Sequence, residues 1–183
     1  KNQQNLAISS FRKEFILFCI PSLVFGLLVM SKNYELINFK SSIGIFLFII
    51  ASIRLSKKIN MFLNINIAKF SKISFLIIGF IHGLTNLGGS FLSLYTAYIF
   101  NKIKEETRYA IAFCYFIMGI IQYLFLQLVY KIPIDTMVVL YISIAILIYK
   151  LFGNKIFIKL NNSLYQQVIT IIILMYSFIL LVM

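Results

Sequence analysis

Six apolar segments account for most of the chain, at about Glu14 to Met30, Phe39 to Leu55, Ile73 to Phe100, Thr107 to Tyr130, Thr136 to Phe152 and Tyr165 to Met183. A straight crossing of a bilayer takes about 20 residues, with a range of about 17 to 25. Five segments fit that length, three of them at its lower end. The third is too long, and it is interrupted near its middle by His82-Gly83-Leu84-Thr85-Asn86-Leu87-Gly88-Gly89-Ser90. Glycine costs roughly 1 kcal/mol relative to alanine in a helix interior, and backbone groups freed at membrane depth need protein or water partners. The sequence therefore predicts a helix break at this point, and the break is the natural candidate for the working part.

Composition decides the solvent. Of 183 residues 61% are hydrophobic and 12% charged, with a mean hydropathy of +0.96, whereas a soluble domain carries about 25% charged residues. These values predict an all-α, polytopic helical membrane protein whose main partner is the lipid bilayer. A formal charge of +12 would point to nucleic acid in a soluble chain. Here the basic residues lie between apolar spans, where cytoplasmic loops concentrate them, so no nucleic acid is expected as a partner. Nineteen Phe and eleven Tyr without any Trp read as an AT-rich coding bias and hint at a bacterial source. Cys19 and Cys114 fall inside apolar segments with no Cys or His nearby, so they read as packing residues, and neither a metal nor a cofactor is expected.

Charge also arbitrates the topology of the third segment. If it crosses once, nine Lys and Arg fall on one side of the membrane and eight on the other, which leaves no orientation signal. If it enters and returns, the counts become fourteen and three, and the larger group marks the cytoplasmic side. The expected architecture is about five full spans plus one re-entrant or broken helix pair. The amino terminus and the loop from Arg54 to Lys72 would then be cytoplasmic. The basic stretch Ser56 to Lys72, with Ile59, Phe62, Leu63, Ile65 and Phe70, reads either as an interfacial helix on anionic lipid or as an ordinary solvated loop. Phe11 to Leu55 and Ile132 to Leu181 repeat one order: charged lead, span, polar link, span. The links contain Ser31-Lys32-Asn33 in one copy and open on Gly153-Asn154-Lys155 in the other. In the re-entrant topology the two copies run in opposite directions, as in the inverted-repeat type of secondary transporter.

The chemistry of the break points to an anion. A helix resuming at Ser90 begins with amides that have no partner in the chain, and such a start carries partial positive charge. Gly88 and Gly89 would let a ligand approach the backbone, and Thr85, Asn86 and Ser90 would add side-chain donors. The competing reading is that Gly79, Gly83, Gly88 and Gly89 simply allow close helix packing. His82, the sole imidazole, reads either as a proton-exchanging or ligand-bonding group or as a satisfied structural residue. Arg54 and Arg108, at span ends, are candidates for gating or steering anions, or ordinary positive-inside residues. Gln122, Tyr123 and Gln127 are candidate cavity lining, or helix contacts. Glu105-Glu106 read as part of a short solvated link.

The pattern Gly79-x-x-x-Gly83-x-x-x-x-Gly88-Gly89-Ser90-Phe91-Leu92, followed by Thr107-Arg108-Tyr109-Ala110, resembles the second repeat of the sulfite exporter TauE/SafE family, also called the toluene sulfonate uptake permease family. Phe11 to Leu55 resembles the paired helices that close that family's first repeat. The resemblance implies a permease of the bacterial cell inner membrane that moves sulfite or another sulfur-containing organic anion. Its substrate site would include His82, Gly83, Thr85, Asn86, Gly88, Gly89 and Ser90. It implies two units, residues 1–72 as the remnant of a first repeat and residues 73–183 as the second. The chain departs from the family in having Gly88-Gly89-Ser90 in place of three glycines and Leu94-Tyr95 where a Pro is common. The first repeat's own break would precede Lys1, so the chain reads as a fragment. Two other functions compete: a non-catalytic subunit of a membrane complex, and an intramembrane enzyme with His82 as general base. Enzymatic activity is not the expected one, and assembly with further copies stays open.

Overall fold

The computed structural model describes residues 2–33, 39–56, 58–59, 67–131 and 136–182, and among these the structure is helical throughout, without a strand. The middle of the Ser56 to Lys72 stretch, including Phe62, Leu63 and Ile65, lies outside the described residues, so the choice between interfacial helix and loop does too.

The chain opens with α1 (Asn2–Glu14), a single π turn (Phe15–Cys19) and α2 (Ile20–Asn33), which form one continuous rod. The widened turn has a local cause. Pro21 lacks an amide hydrogen, and its ring would collide with the carbonyl four residues back. One turn ahead of it the ladder loosens, and the Ile20 amide bonds to the Phe15 carbonyl. After α3 (Phe39–Leu55) and a 3-10 turn (Ile67–Phe70) come α4 (Ser71–Thr85) and α5 (Gly89–Ile99), the two arms of the broken segment. Then follow α6 (Lys104–Tyr130), α7 (Thr136–Ile148), a second π turn (Tyr149–Gly153), α8 (Asn154–Lys159) and α9 (Asn162–Val182). Gly153 does not open a link, as the repeat pattern had it: the helix continues through the π turn to Lys159. Glu105 and Glu106 likewise sit in the first turn of α6 and not in a loop. That position sets carboxylates against the positive end of the helix dipole.

Among the described residues, four helices are long and apolar enough to cross a membrane: Ile8–Lys32, Lys104–Tyr130, Met137–Lys159 and Asn162–Val182. None of the Met137–Lys159 window is buried inside the molecule. An apolar helix exposed on every side is at home in hydrocarbon and not in water. The 17-residue α3 falls at the short limit for a crossing.

Two packing centres hold the helices together. In the first, Phe11, Phe15, Cys19 and Leu23 form one buried stripe at four-residue spacing along the opening rod. The stripe faces Phe75 and Ile78 of α4, Leu92 and Tyr95 of α5, and Cys114 and Met118 of α6. Both cysteines are free and fully buried. The crossing of α2 and α4 is backbone against backbone. A Cβ on Gly79 would strike the Cys19 carbonyl, one on Gly83 would strike the Leu23 carbonyl, and one on Gly26 would lie 2.6 Å from the Phe80 carbonyl oxygen. Small residues permit this approach in membranes, where close contact and not water exclusion drives association. In the second centre α3 and α9 run antiparallel. Arg54 meets Thr170 and Gln166 at one end, while at the other Ser177 donates to the Gly44 carbonyl at 3.0 Å.

The broken segment folds back on itself. Tyr95 of α5 donates from its hydroxyl to Ser71, the first residue of α4, at 2.8 Å, and the Tyr95 and Phe75 rings lie 5.0 Å apart. A single rising helix would separate positions 71 and 95 by about 36 Å at ~1.5 Å per residue. Its arms, 15 and 11 residues, reach only about 22 and 16 Å at that rise, short of the ~30 Å hydrocarbon core.

Candidate functional site

The turn of the hairpin occupies the expected residues but is built differently from the expectation. Helix α4 ends at Thr85, and the residue that takes the left-handed conformation is Asn86, at φ 58 and ψ 9, with its amide bonded to the His82 carbonyl at 2.8 Å. Asparagine is the one common alternative to glycine at such a C-cap. Gly88 has φ −59 and ψ −11, which any residue adopts, and Gly89 is already helical. The paired glycines do not supply the bend.

They supply closeness. A Cβ on Gly88 would stand 2.7 Å from both the His82 Cβ and the Ile78 carbonyl oxygen, and one on Gly89 would run into the Tyr115 hydroxyl. The room above these glycines, and above Gly83 at the α2 crossing, is therefore taken by the chain itself. The two hydroxyls expected to donate to a ligand are also engaged. Thr85 donates to the Ile81 carbonyl at 2.7 Å and accepts from the Leu87 amide at 3.1 Å. Ser90 donates to the Leu87 carbonyl at 3.2 Å. Asn86 accepts from the Gln122 amide of α6 at 3.3 Å, which makes Gln122 a helix contact. The start of α5 has no side-chain cap. His82 is 1% exposed, its ring edge-on to Tyr115 at 5.5 Å, and its Nδ1 has no partner among the described residues.

Two arginines expected at span ends behave differently. Arg108 lies 3.6 Å above the centre of the Phe157 ring and donates to the Tyr149 hydroxyl at 3.0 Å, so it ties α6 to the π turn and α8. Arg54 turns inward, away from the end of α3. Its Nε donates to Thr170 at 2.9 Å, Nη1 to Ser93 at 3.3 Å and Nη2 to Gln166 at 2.7 Å. Ser93 belongs to the second arm of the hairpin, so one guanidinium joins α3, α5 and α9. The two hydroxyls are held ready for it, since each donates to its own helix backbone, Ser93 to Ser90 and Thr170 to Gln166, and offers a lone pair to the arginine.

Arg54 lines a pocket of about 580 Å3 together with Lys102, Tyr98, Asn162 and Gln166, with Leu94 and Ile171 forming part of its apolar wall. Lys102 arrives there through the turn that ends α5. The Lys102 amide bonds to the Ala97 carbonyl and the Asn101 amide to Tyr98, the paired bonds of a Schellman cap. Asn161, in a sequence that matches a glycosylation pattern, caps the start of α9 by accepting from the Leu164 amide at 2.8 Å. No local pattern in the sequence marks this pocket. Its only advance signal was the presence of Arg54 and Lys102 at segment ends.

No protein-family description, curated protein or solved structure matches the chain.

Proposed function

We propose that the chain is a membrane permease for a small anion, sulfite or another sulfur-containing organic oxyanion, with the α4–α5 hairpin as its working element. The observation that carries this reading is the hairpin itself: two arms too short to cross, folded back inside the helical assembly. Irregular backbone at membrane depth is tolerated where protein or a water-filled cavity lines it, and discontinuous helices of this kind frame the sites of many secondary transporters. The resemblance to the TauE/SafE family supports the substrate class.

In this reading the hairpin is re-entrant, five further segments cross the membrane, and the protein is a multi-pass component of the bacterial inner membrane. Residues 1–72 stand as the remnant of a first repeat and residues 73–183 as the second. The antiparallel pairing of α3 with α9 supports the inverted arrangement, because these are the equivalent closing helices of the two halves. Helix α7, apolar all round, faces lipid. Arg12, Ser71, Lys104 and Arg108 share contacts at one end of the molecule, as a basic cytoplasmic face requires. Arg12 reaches Tyr109, Ser71 reaches Glu14, and Lys104 reaches the carbonyls of Phe157 and Leu160.

The reading is tested by flux of labelled sulfite into proteoliposomes that hold the protein, against protein-free vesicles; equal rates reject it. Topology has its own test. Lys32→Cys and Lys131→Cys are expected to react with a membrane-impermeant maleimide from the outer face of intact cells, the native cysteines being buried. Labelling of the two positions from opposite faces rejects the re-entrant arrangement, and labelling of both only after the cells are opened reverses its orientation.

A further inference from the structure

The spaces over Gly83, Gly88 and Gly89 are filled by the protein's own atoms, yet a few residues along α5 the same hairpin arm borders an open pocket. We propose that this pocket, between α3, α5 and α9, is a binding site for an organic anion. The charged head lies against Arg54, Gln166 and Lys102, and the apolar body against Leu94 and Ile171.

Three observations converge on this site. Two cations, Arg54 and Lys102, line the pocket, and among the described residues no acidic side chain does. Gln166 accepts from Arg54 through its amide oxygen, which fixes the orientation of the amide, and its Nε2 is then a buried donor with no partner among the described residues. A buried polar atom left unpaired is unfavourable, and an oxyanion beside Arg54 would accept its hydrogen. The volume, about 580 Å3, falls within the ~300–1,000 Å3 usual for small-molecule sites. An inorganic oxyanion would occupy a small part of it and leave the leucine and isoleucine wall wet. An anion carrying an apolar body fills both parts.

Arg54 also clamps Ser93 of the hairpin arm, so an occupant that draws on the guanidinium pulls on the hairpin. As the anion site of a permease the pocket rests on the function proposed above; as a binding site it is tested apart from transport. The probe is benzoate, titrated by calorimetry into the full chain in a neutral detergent, with benzyl alcohol as the uncharged control. Wild type is expected to bind benzoate saturably and benzyl alcohol at least tenfold more weakly. Arg54→Gln is expected to lose at least tenfold in affinity. Lys102→Asn, which removes a charge without touching the helix clamp and tolerates the φ of 61 at that position, is expected to lose several-fold. Arg108→Gln is expected to bind as wild type does.

Phosphatidylglycerol supplied in excess decides the source of the head group. Undiminished benzoate binding assigns the site to a soluble anion, whereas displacement of benzoate, lost again in Lys102→Asn, assigns the same chemistry to an anionic lipid. Absence of saturable benzoate binding, or equal binding by wild type and Lys102→Asn, overturns the proposal. Sulfite flux that continues in a variant that has lost benzoate binding would overturn the pocket's part in transport and leave both the binding site and the permease. Benzoate binding in a protein that moves no anion would overturn the permease alone.

Discussion

Gly79→Ala is expected to destabilise the protein by about 3 kcal/mol, at the upper end of the ~1–3 kcal/mol typical of overpacking, while Gly119→Ala is expected to stabilise it by up to about 1 kcal/mol. Both glycines lie within helices, so the gain in helix propensity is the same and only the surroundings differ. The added methyl at Gly79 would meet the Cys19 carbonyl, and behind that oxygen stands the backbone of a continuous rod that cannot yield as a side chain can. At Gly119 nothing lies within 4 Å of the added atom. Forcing α2 from α4 also loosens Phe15, Leu23, Phe75 and Ile78, all fully buried at this crossing. Thermal unfolding in detergent, followed by circular dichroism, checks the pair. A melting temperature that rises in both variants would mean that the crossing is looser than described.

Gly88→Leu is expected to lower sulfite flux at least about tenfold, a barrier change of roughly 1.4 kcal/mol, while Gly119→Leu retains it. Gly88 brings the start of α5 against His82 and Ile78 of α4. A leucine there pries the hairpin arms apart and shifts Ser93, which holds Arg54. The stability of this variant should fall less than that of Gly79→Ala, because the turn lies at one end of the hairpin and not along a full helix crossing. Wild-type flux in folded Gly88→Leu protein removes the closed turn from the mechanism.

The existence and place of the break were legible because the signal is local: Gly83, Thr85, Asn86, Gly88 and Gly89 are all poor helix formers and fall within ten residues. The fold-back was legible from charge, since a return of the third segment gathers Lys102, Lys104, Arg108, Lys150, Lys155 and Lys159 with the other basic residues and turns a nine-to-eight division into fourteen to three. The residue that makes the bend was not read, because Asn86 and the glycines all tolerate the turn and only the packed structure shows which one takes the left-handed angle. The same local logic makes Gly153 the opening of a link, whereas there the helix widens into a π turn and continues.

The roles of Thr85, Ser90 and Asn86 as free donors followed from residue type alone. The Thr85 and Ser90 hydroxyls donate to carbonyls about one turn away, and the Asn86 amide oxygen accepts from Gln122, 36 residues on. Arg54 shows the larger gap. At a segment end it reads as one more cytoplasmic cation, but its partners Gln166 and Thr170 lie 112 and 116 residues away, and no local pattern announces such a meeting.

The order of amino acids by itself determined the apolar, helical character of the segments and the region where the backbone leaves the helix, because these are properties of each stretch of chain separately. Only the tertiary structure decided what fills the space above each glycine and where the inward arginine comes to rest. Those outcomes depend on which distant surfaces meet, and that is a property of the packed molecule and not of any one segment.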